Sequence, residues 1–215
     1  AGKEADKVDP KLEFINVHYR AAGATLMGAL AKGGYEYEGK SYASQRRHPE
    51  PFNQCTGCHE IHTVAPKVEP CAGCHDGVTD RKSLASIRKS KQDFDGNGNV
   101  TEGLAQEVDH LHARLLAAIQ AYGKTVAGKA IAYNGHAFPY FFNDLNGNGV
   151  VDENEAKVPN KYNAWTPRLL KAAYNYQFVA KDPGAYAHNG PYVIQLLHDS
   201  LADLPGSNLA GAVRP

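Results

Sequence analysis

A mainly α fold with much irregular chain and little β-sheet is predicted for this sequence of 215 residues. Three observations predict it. Beyond residue 90, apolar residues recur at three- and four-residue steps, which is the spacing of one helix face. Asp/Asn/Gly loops separate those runs. The stretch 46–80 is dense in proline, glycine and histidine, so regular structure there should be sparse.

Taken in order, residues 1–45 hold a short apolar segment from Leu12 to Leu30, rich in alanine and glycine. Gly33 to Gly39 (Gly-Gly-Tyr-Glu-Tyr-Glu-Gly) then reads as a turn-bounded hairpin or loop. Leu104, Val108, Leu111, Leu115, Ile119 and Tyr122 form the stripe of an amphipathic helix. Thr166 before Pro167 is a helix start, running through Leu169, Leu170, Ala173, Tyr176 and Phe178 toward Asp182-Pro183. A third helix is expected from Tyr192 to Leu204, stopped by Pro205-Gly206. The expected organisation is a cofactor-binding region at 1–90 and a helical region at 91–215, packed as one unit.

Composition narrows the function. Lys+Arg and Asp+Glu are equal at 23 each, so the basic footprint of a nucleic-acid binder is absent. No apolar run approaches the length of a membrane span. Hydrophobic residues make up 42%, which is slightly lean for a protein core.

The four cysteines fall in two pentapeptides sixteen residues apart, Cys55-Thr56-Gly57-Cys58-His59 and Cys71-Ala72-Gly73-Cys74-His75. Two thiols three positions apart can each form a thioether to one vinyl group of a single porphyrin. The following histidine then lies beneath the iron as proximal ligand. A zinc ribbon uses paired Cys-x-x-Cys but has no need of a histidine after both pairs, and disulfides do not account for it either. Two covalent haem c groups are therefore expected, and they would supply much of the apolar core. Attachment of haem c normally occurs outside the cytoplasm. The polar start of the chain then implies a mature protein whose signal peptide was removed, with a periplasmic or extracellular home.

With His59 and His75 as proximal iron ligands, eight of the ten histidines remain for two distal positions. Met27 is the only methionine and sits in an apolar run suited to packing, so His/His ligation is favoured, with low potentials. Candidate distal ligands are His62, three residues after His59; His18, at the edge of an apolar segment; and His188, placed just before a helix. His110 and His112 read as helix-face residues, and His48, His136 and His198 rank lower.

A different metal is implied by Asp144-Leu-Asn146-Gly-Asn148-Gly149-Val150-Val-Asp152-Glu-Asn-Glu155, which matches a twelve-residue EF-hand loop. Oxygen donors fall at Asp144, Asn146, Asn148 and Asp152, the Val150 carbonyl takes position seven, and Glu155 can close bidentately. Calcium is expected there. Asp93, Asp95, Asn97 and Asn99 open a second loop in the same way. At the twelfth position Leu104 cannot ligate, leaving Glu102 or Glu107 to close it.

Taken together these elements resemble the multihaem c-type cytochromes of bacterial respiratory and extracellular electron-transfer chains. The run Cys55-Thr-Gly-Cys-His-Glu-Ile-His62 looks like the family's doubled-CxxCH pattern, whose trailing histidine ligates a neighbouring haem. His188-Asn189-Gly190-Pro191-Tyr192, followed by Leu196-Leu197, looks like its His-Asn-Pro-x-Tyr…Leu-Leu element, here with proline one position late. The segment around His18 looks like a distal-ligand stretch. The resemblance implies a multihaem cytochrome c-like fold, redox partner proteins (other cytochromes or an extracellular acceptor) and, through a surplus histidine, self-association.

The function expected is electron transfer rather than catalysis. Eleven residues separate His59 from Cys71, so the two porphyrins must be neighbours. Bis-histidine irons leave no position for substrate. The alternatives are a haem enzyme with one open iron, reducing a small nitrogen or oxygen species, and a polymer-forming cytochrome subunit.

Overall fold

The computed structural model describes residues 4–18 and 20–215; residues 1–3 and Tyr19 lie outside the described set. The described residues are mostly helical or irregular, with one two-stranded sheet among them. In chain order the helices are α1 (Ala22–Met27), α2 (Cys55–Cys58), α3 (Glu69–Ala72), α4 (Leu104–Thr125), α5 (Pro167–Ala180) and α6 (Ala185–Asp203). Strands β1 (Ile131–Tyr133) and β2 (Phe141–Asn143) pair antiparallel, with Ala132 opposite Phe142.

The three long helices pack on one another and make the core. Along α4 the expected stripe is buried: Leu111, Leu115 and Ile119 have no exposed surface, and Val108 and Tyr122 almost none. Burying each large aliphatic side chain contributes roughly 1.5–3 kcal/mol. Helix α5 begins as expected, with the Thr166 hydroxyl accepting the Leu169 N–H at 3.1 Å and Pro167 in the first turn.

Helix α6 differs from the expectation. It begins at Ala185 rather than at Tyr192, and it is broken at Asn189 (φ −161°, ψ 75°). The reason is local. Pro191 has no N–H and suits the first turn of a helix. The Asn189 side-chain oxygen caps that second start by accepting the Tyr192 N–H at 3.3 Å. The turn from Ala185 to His188 is thereby set at an angle to the rest of α6.

Residues 12–18 and 20–45 contain little regular structure beyond α1, and Gly33 to Gly39 form a loop rather than a hairpin. They are nevertheless fixed to α5 and α6 by buried amide side chains. Asn175 accepts the Tyr35 N–H at 2.6 Å and donates to the Tyr35 carbonyl at 3.0 Å. Gln177 accepts the Val17 N–H, and Gln195 the Ala43 N–H, each at 2.7 Å. These side chains satisfy backbone groups that a sheet would otherwise pair. A further tie is Asp199, 1% exposed, which receives Lys40 and Tyr42 at 2.7 Å and the Arg214 guanidinium at 2.9 Å. Residues 12–18 and 20–45 thus share the core of the helical region.

Candidate haem-binding site

Between residues 46 and 80 the only buried residue is Val78. Such a stretch has almost no side-chain core with which to offset its ordering entropy. What holds it is a small set of backbone hydrogen bonds around two single helical turns. Helix α2 carries Cys55 and Cys58 three positions apart, which puts both thiols on one side of the turn. The chain then leaves the helix at His59 (φ −116°, ψ 145°), whose N–H donates to the Cys55 carbonyl at 2.8 Å. Gly57 is required by close approach, since a Cβ there would lie 2.7 Å from the Pro51 carbonyl oxygen. The second motif repeats the pattern: the His75 N–H donates to the Cys71 carbonyl at 2.9 Å.

The two motifs are tied together. Lys67 donates its N–H to the Cys58 carbonyl and its ammonium to the Thr56 carbonyl, both at 2.8 Å. All four cysteines are free thiols, Cys55 and Cys74 exposed, Cys58 and Cys71 partly buried. Burial raises the pKa of the Cys58 and Cys71 thiols, and neighbouring thiols add to it. Among the described residues no three of the thiols come within 4.8 Å of one another, so the convergence that a four-thiolate zinc site needs is not present.

His188 is brought against the first motif. The His59 and His188 rings have centroids 6.0 Å apart, with 38° between their planes. The Nδ1–H of His59 donates to the Val64 carbonyl at 2.8 Å. The Nδ1–H of His188 donates to both oxygens of Asp182, each at 2.9 Å. Each ring therefore keeps its Nε2 lone pair for another partner while its Nδ1–H is anchored on a carbonyl or carboxylate, as in a metal-ligating histidine. These two rings would be the ones to hold the iron of a haem attached at Cys55 and Cys58, where that group would supply a one-electron centre.

The other sequence candidates lie elsewhere. His62 stands exposed on the loop that folds back between His59 and Pro66, and among the described residues it makes no ring contact with His59 or His75. His18 is exposed on the segment before α1. His75 has its pKa lowered by burial first, then by the charges of Lys89 and His48, which favours the neutral, ligating imidazole. Both residues thus lie within electrostatic reach of the second motif, and His48 had no local sequence signal to raise its rank. His112 is engaged in the core, stacked on Tyr176 at 4.0 Å with its Nε2 donating to the Tyr176 carbonyl.

The two Asp/Asn/Gly loops are built alike. Asp144 accepts the N–H groups of Gly147 and Gly149, each at 2.8 Å; Asp93 accepts those of Gly96 and Gly98, each at 2.6 Å. Asn146 Oδ1 takes the Asn148 N–H as Asp95 Oδ1 takes that of Asn97. Asn148 takes Val150 as Asn97 takes Asn99. Asp152 reaches the Asn146 and Asn148 side chains. Glu155, 1% exposed, closes the later loop by accepting the Leu145 and Asp152 N–H groups. In the earlier loop that place is taken by Glu107, fully buried in the first turn of α4, which accepts the Phe94 and Asp95 N–H groups. Leu104 at the twelfth position starts the helix, and the closing carboxylate comes from three residues further on. Glu107 also pairs with Arg88, and Asp95 with His110 at 2.6 Å. Oxygens of Asp93, Asp95 and Glu107 come within 4.8 Å of one another.

No family model matches the chain, and no solved structure matches it. Curated relatives do. The chain is 33% identical over 226 aligned positions to the C-type polyheme cytochrome OmcB of Geobacter sulfurreducens, in strains PCA and DL-1/KN400. It is 31% identical over 230 positions to the C-type polyheme cytochrome OmcC of the same species. These alignments take in 93% of this chain but only 27–28% of each relative. No described helix is long and apolar enough to cross a membrane. Similarity over nearly the whole chain to a segment of these two proteins supports a multihaem c-type cytochrome.

Proposed function

We propose that this chain is a two-haem electron-transfer unit, one porphyrin held at Cys55/Cys58 and the other at Cys71/Cys74. The observation that carries the reading is the His59–His188 pair, 6.0 Å between centroids, with both Nδ1 groups engaged and both Nε2 groups left to a metal. Haem supplies a one-electron centre when bound; the protein supplies attachment, axial ligands and the setting of the potential. Asp182 orients His188 and raises its basicity. His75 is the proximal ligand of the second iron, and His48 is the imidazole whose charge reaches it. With both positions of an iron filled, no site remains for substrate, which favours a carrier over an enzyme. Other cytochromes or an extracellular acceptor are the partners, in the periplasm or outside the cell.

Calcium belongs to the same proposal. One ion is held by Asp144, Asn146, Asn148, the Val150 carbonyl, Asp152 and Glu155. A second is held by Asp93, Asp95, Asn97 and Asn99 with Glu107 as the closing carboxylate. The role is structural, since each loop runs into an element of the core.

The test is the haem content of the purified protein with its oxidised low-temperature EPR spectrum. Two covalent haems per chain and only low-spin ferric signals are expected. A substantial high-spin signal would transfer the reading to the enzyme with an open iron.

A further inference from the structure

The short turn that carries His188 is held at both ends. Ahead of it the Ala185 N–H donates to the Asp182 carbonyl at 3.0 Å, and Ala185 is buried. Behind it the Asn189 side chain donates to the Ser44 carbonyl at 2.9 Å, and Gly190 lies so near Leu104 that a Cβ there would come within 2.4 Å of Cδ2. Within the turn, the N–H groups of Ala187 and His188 both donate to the Gly184 carbonyl at 2.9 Å. The Gly184 N–H reaches Asp182 Oδ1 at 3.2 Å, on the same carboxylate that receives the His188 Nδ1–H.

Backbone conformation does not require glycine at 184. Its φ of −100° and ψ of 14° suit the third residue of a type I turn, which most residues adopt. What requires glycine is the His188 ring. A Cβ at Gly184 would lie 2.9 Å from Cε1, 3.3 Å from Nδ1 and 3.5 Å from Nε2 of that imidazole, its three nearest neighbours. Carbon atoms in contact normally stand about 3.5–4.0 Å apart. The Cε1 side of the ring therefore rests on the glycine.

We infer that Gly184 is a positioning residue for His188, a floor that sets how the imidazole approaches His59 while Asp182 fixes its rotation. This inference rests on the two-haem reading, in which His59 and His188 are the axial pair. The floor acts on the relationship already described, 6.0 Å between ring centroids and 38° between ring planes. Because the turn is anchored at both ends, an added methyl group displaces the ring, the far end of a side chain, and not the backbone. The displaced ring cannot keep both of its 2.9 Å contacts to Asp182.

The experiment uses the holoprotein, wild type against Gly184→Ala and a control, Gly23→Ala, in α1 where an added Cβ meets nothing within 4 Å. Low-temperature EPR of the oxidised protein, the reduction potential of each haem and a thermal melt are recorded for all three. In Gly184→Ala the wild-type low-spin signal of one haem should be lost, replaced by one at other g values or by a high-spin signal. The potential of that haem alone should move. Because only a side-chain end is displaced, the melting temperature should stay within about 4 °C of the wild type. Gly23→Ala should keep both wild-type signals. Unchanged signals in Gly184→Ala, or changes shared by both haems, would overturn the positioning role. A larger fall in melting temperature would also overturn it, by making Gly184 a requirement of the fold. Fewer than two haems, or a high-spin signal, in the wild type would instead sink the underlying reading.

Discussion

The Nδ1–H of His188 sits between the two carboxylate oxygens of Asp182, at 2.9 Å from each, and Asp182 is 3% exposed. A buried carboxylate in that position makes the imidazole a stronger donor and favours the ferric state of an iron it ligates. Asp182→Asn should therefore raise the potential of one haem and leave the other in place. Spectroelectrochemistry would show this directly, and equal shifts of both haems would contradict it.

Val64 is held at φ +58°, a region that costs a β-branched residue roughly 1–2 kcal/mol. Its carbonyl accepts the His59 Nδ1–H, and its side chain is 67% exposed, so little packing is at stake. Val64→Gly should stabilise the protein by about 0.5–1 kcal/mol after allowance for glycine's greater unfolded-state freedom. It should also leave the haem spectra unchanged. Denaturant unfolding of the holoprotein measures the first effect, and a destabilised variant would show that the strain has been misplaced.

Burial alone would raise the pKa of Asp199. His198, 3.6 Å away, and then Arg214, Lys40 and Tyr42 reverse this and hold it below the ordinary carboxylate value. A depressed folded-state pKa contributes stability that is present above the unfolded value, near pH 4, and is lost as pH falls through the folded value. Thermal melts of the wild type should decline below pH 4. Asp199→Asn should be about 3 kcal/mol less stable at pH 7 and flatter across the acid range. A parallel pH profile for the two proteins would refute the assignment.

Both loops carry a testable calcium prediction. Saturating calcium at a hundred times its dissociation constant stabilises by about 2.7 kcal/mol per site. Chelation should lower the melting temperature. Glu155→Gln should abolish one step of a calcium titration and Glu107→Gln the other. If Glu107→Gln leaves both steps intact, the earlier loop closes differently.

Much of the fold was legible because periodicity and punctuation were strong. The α4 stripe and the Thr166-Pro167 start are where local pattern and core agree. Asn189 shows what was hidden. The helix expected from Tyr192 lies within α6, but nothing local indicated a further helical turn ahead of it, which brings His188 to His59 from more than a hundred residues away. Nor was the order of residues 12–18 and 20–45 readable, because it depends on Asn175, Gln177 and Gln195 far along the chain. The two Cys-x-x-Cys-His motifs and the 144–155 loop could be picked out by spacing alone. His48 gained weight only from tertiary placement, and both Glu102 and Glu107 come within reach of Asp95 only once α4 is in position.

The most direct test of the central claim is the EPR spectrum of oxidised His188→Ala holoprotein beside the wild type. The account predicts two low-spin haems per chain in the wild type and one low-spin plus one high-spin in the variant. Two unchanged low-spin haems in the variant would show that His188 is not the partner of His59 across an iron.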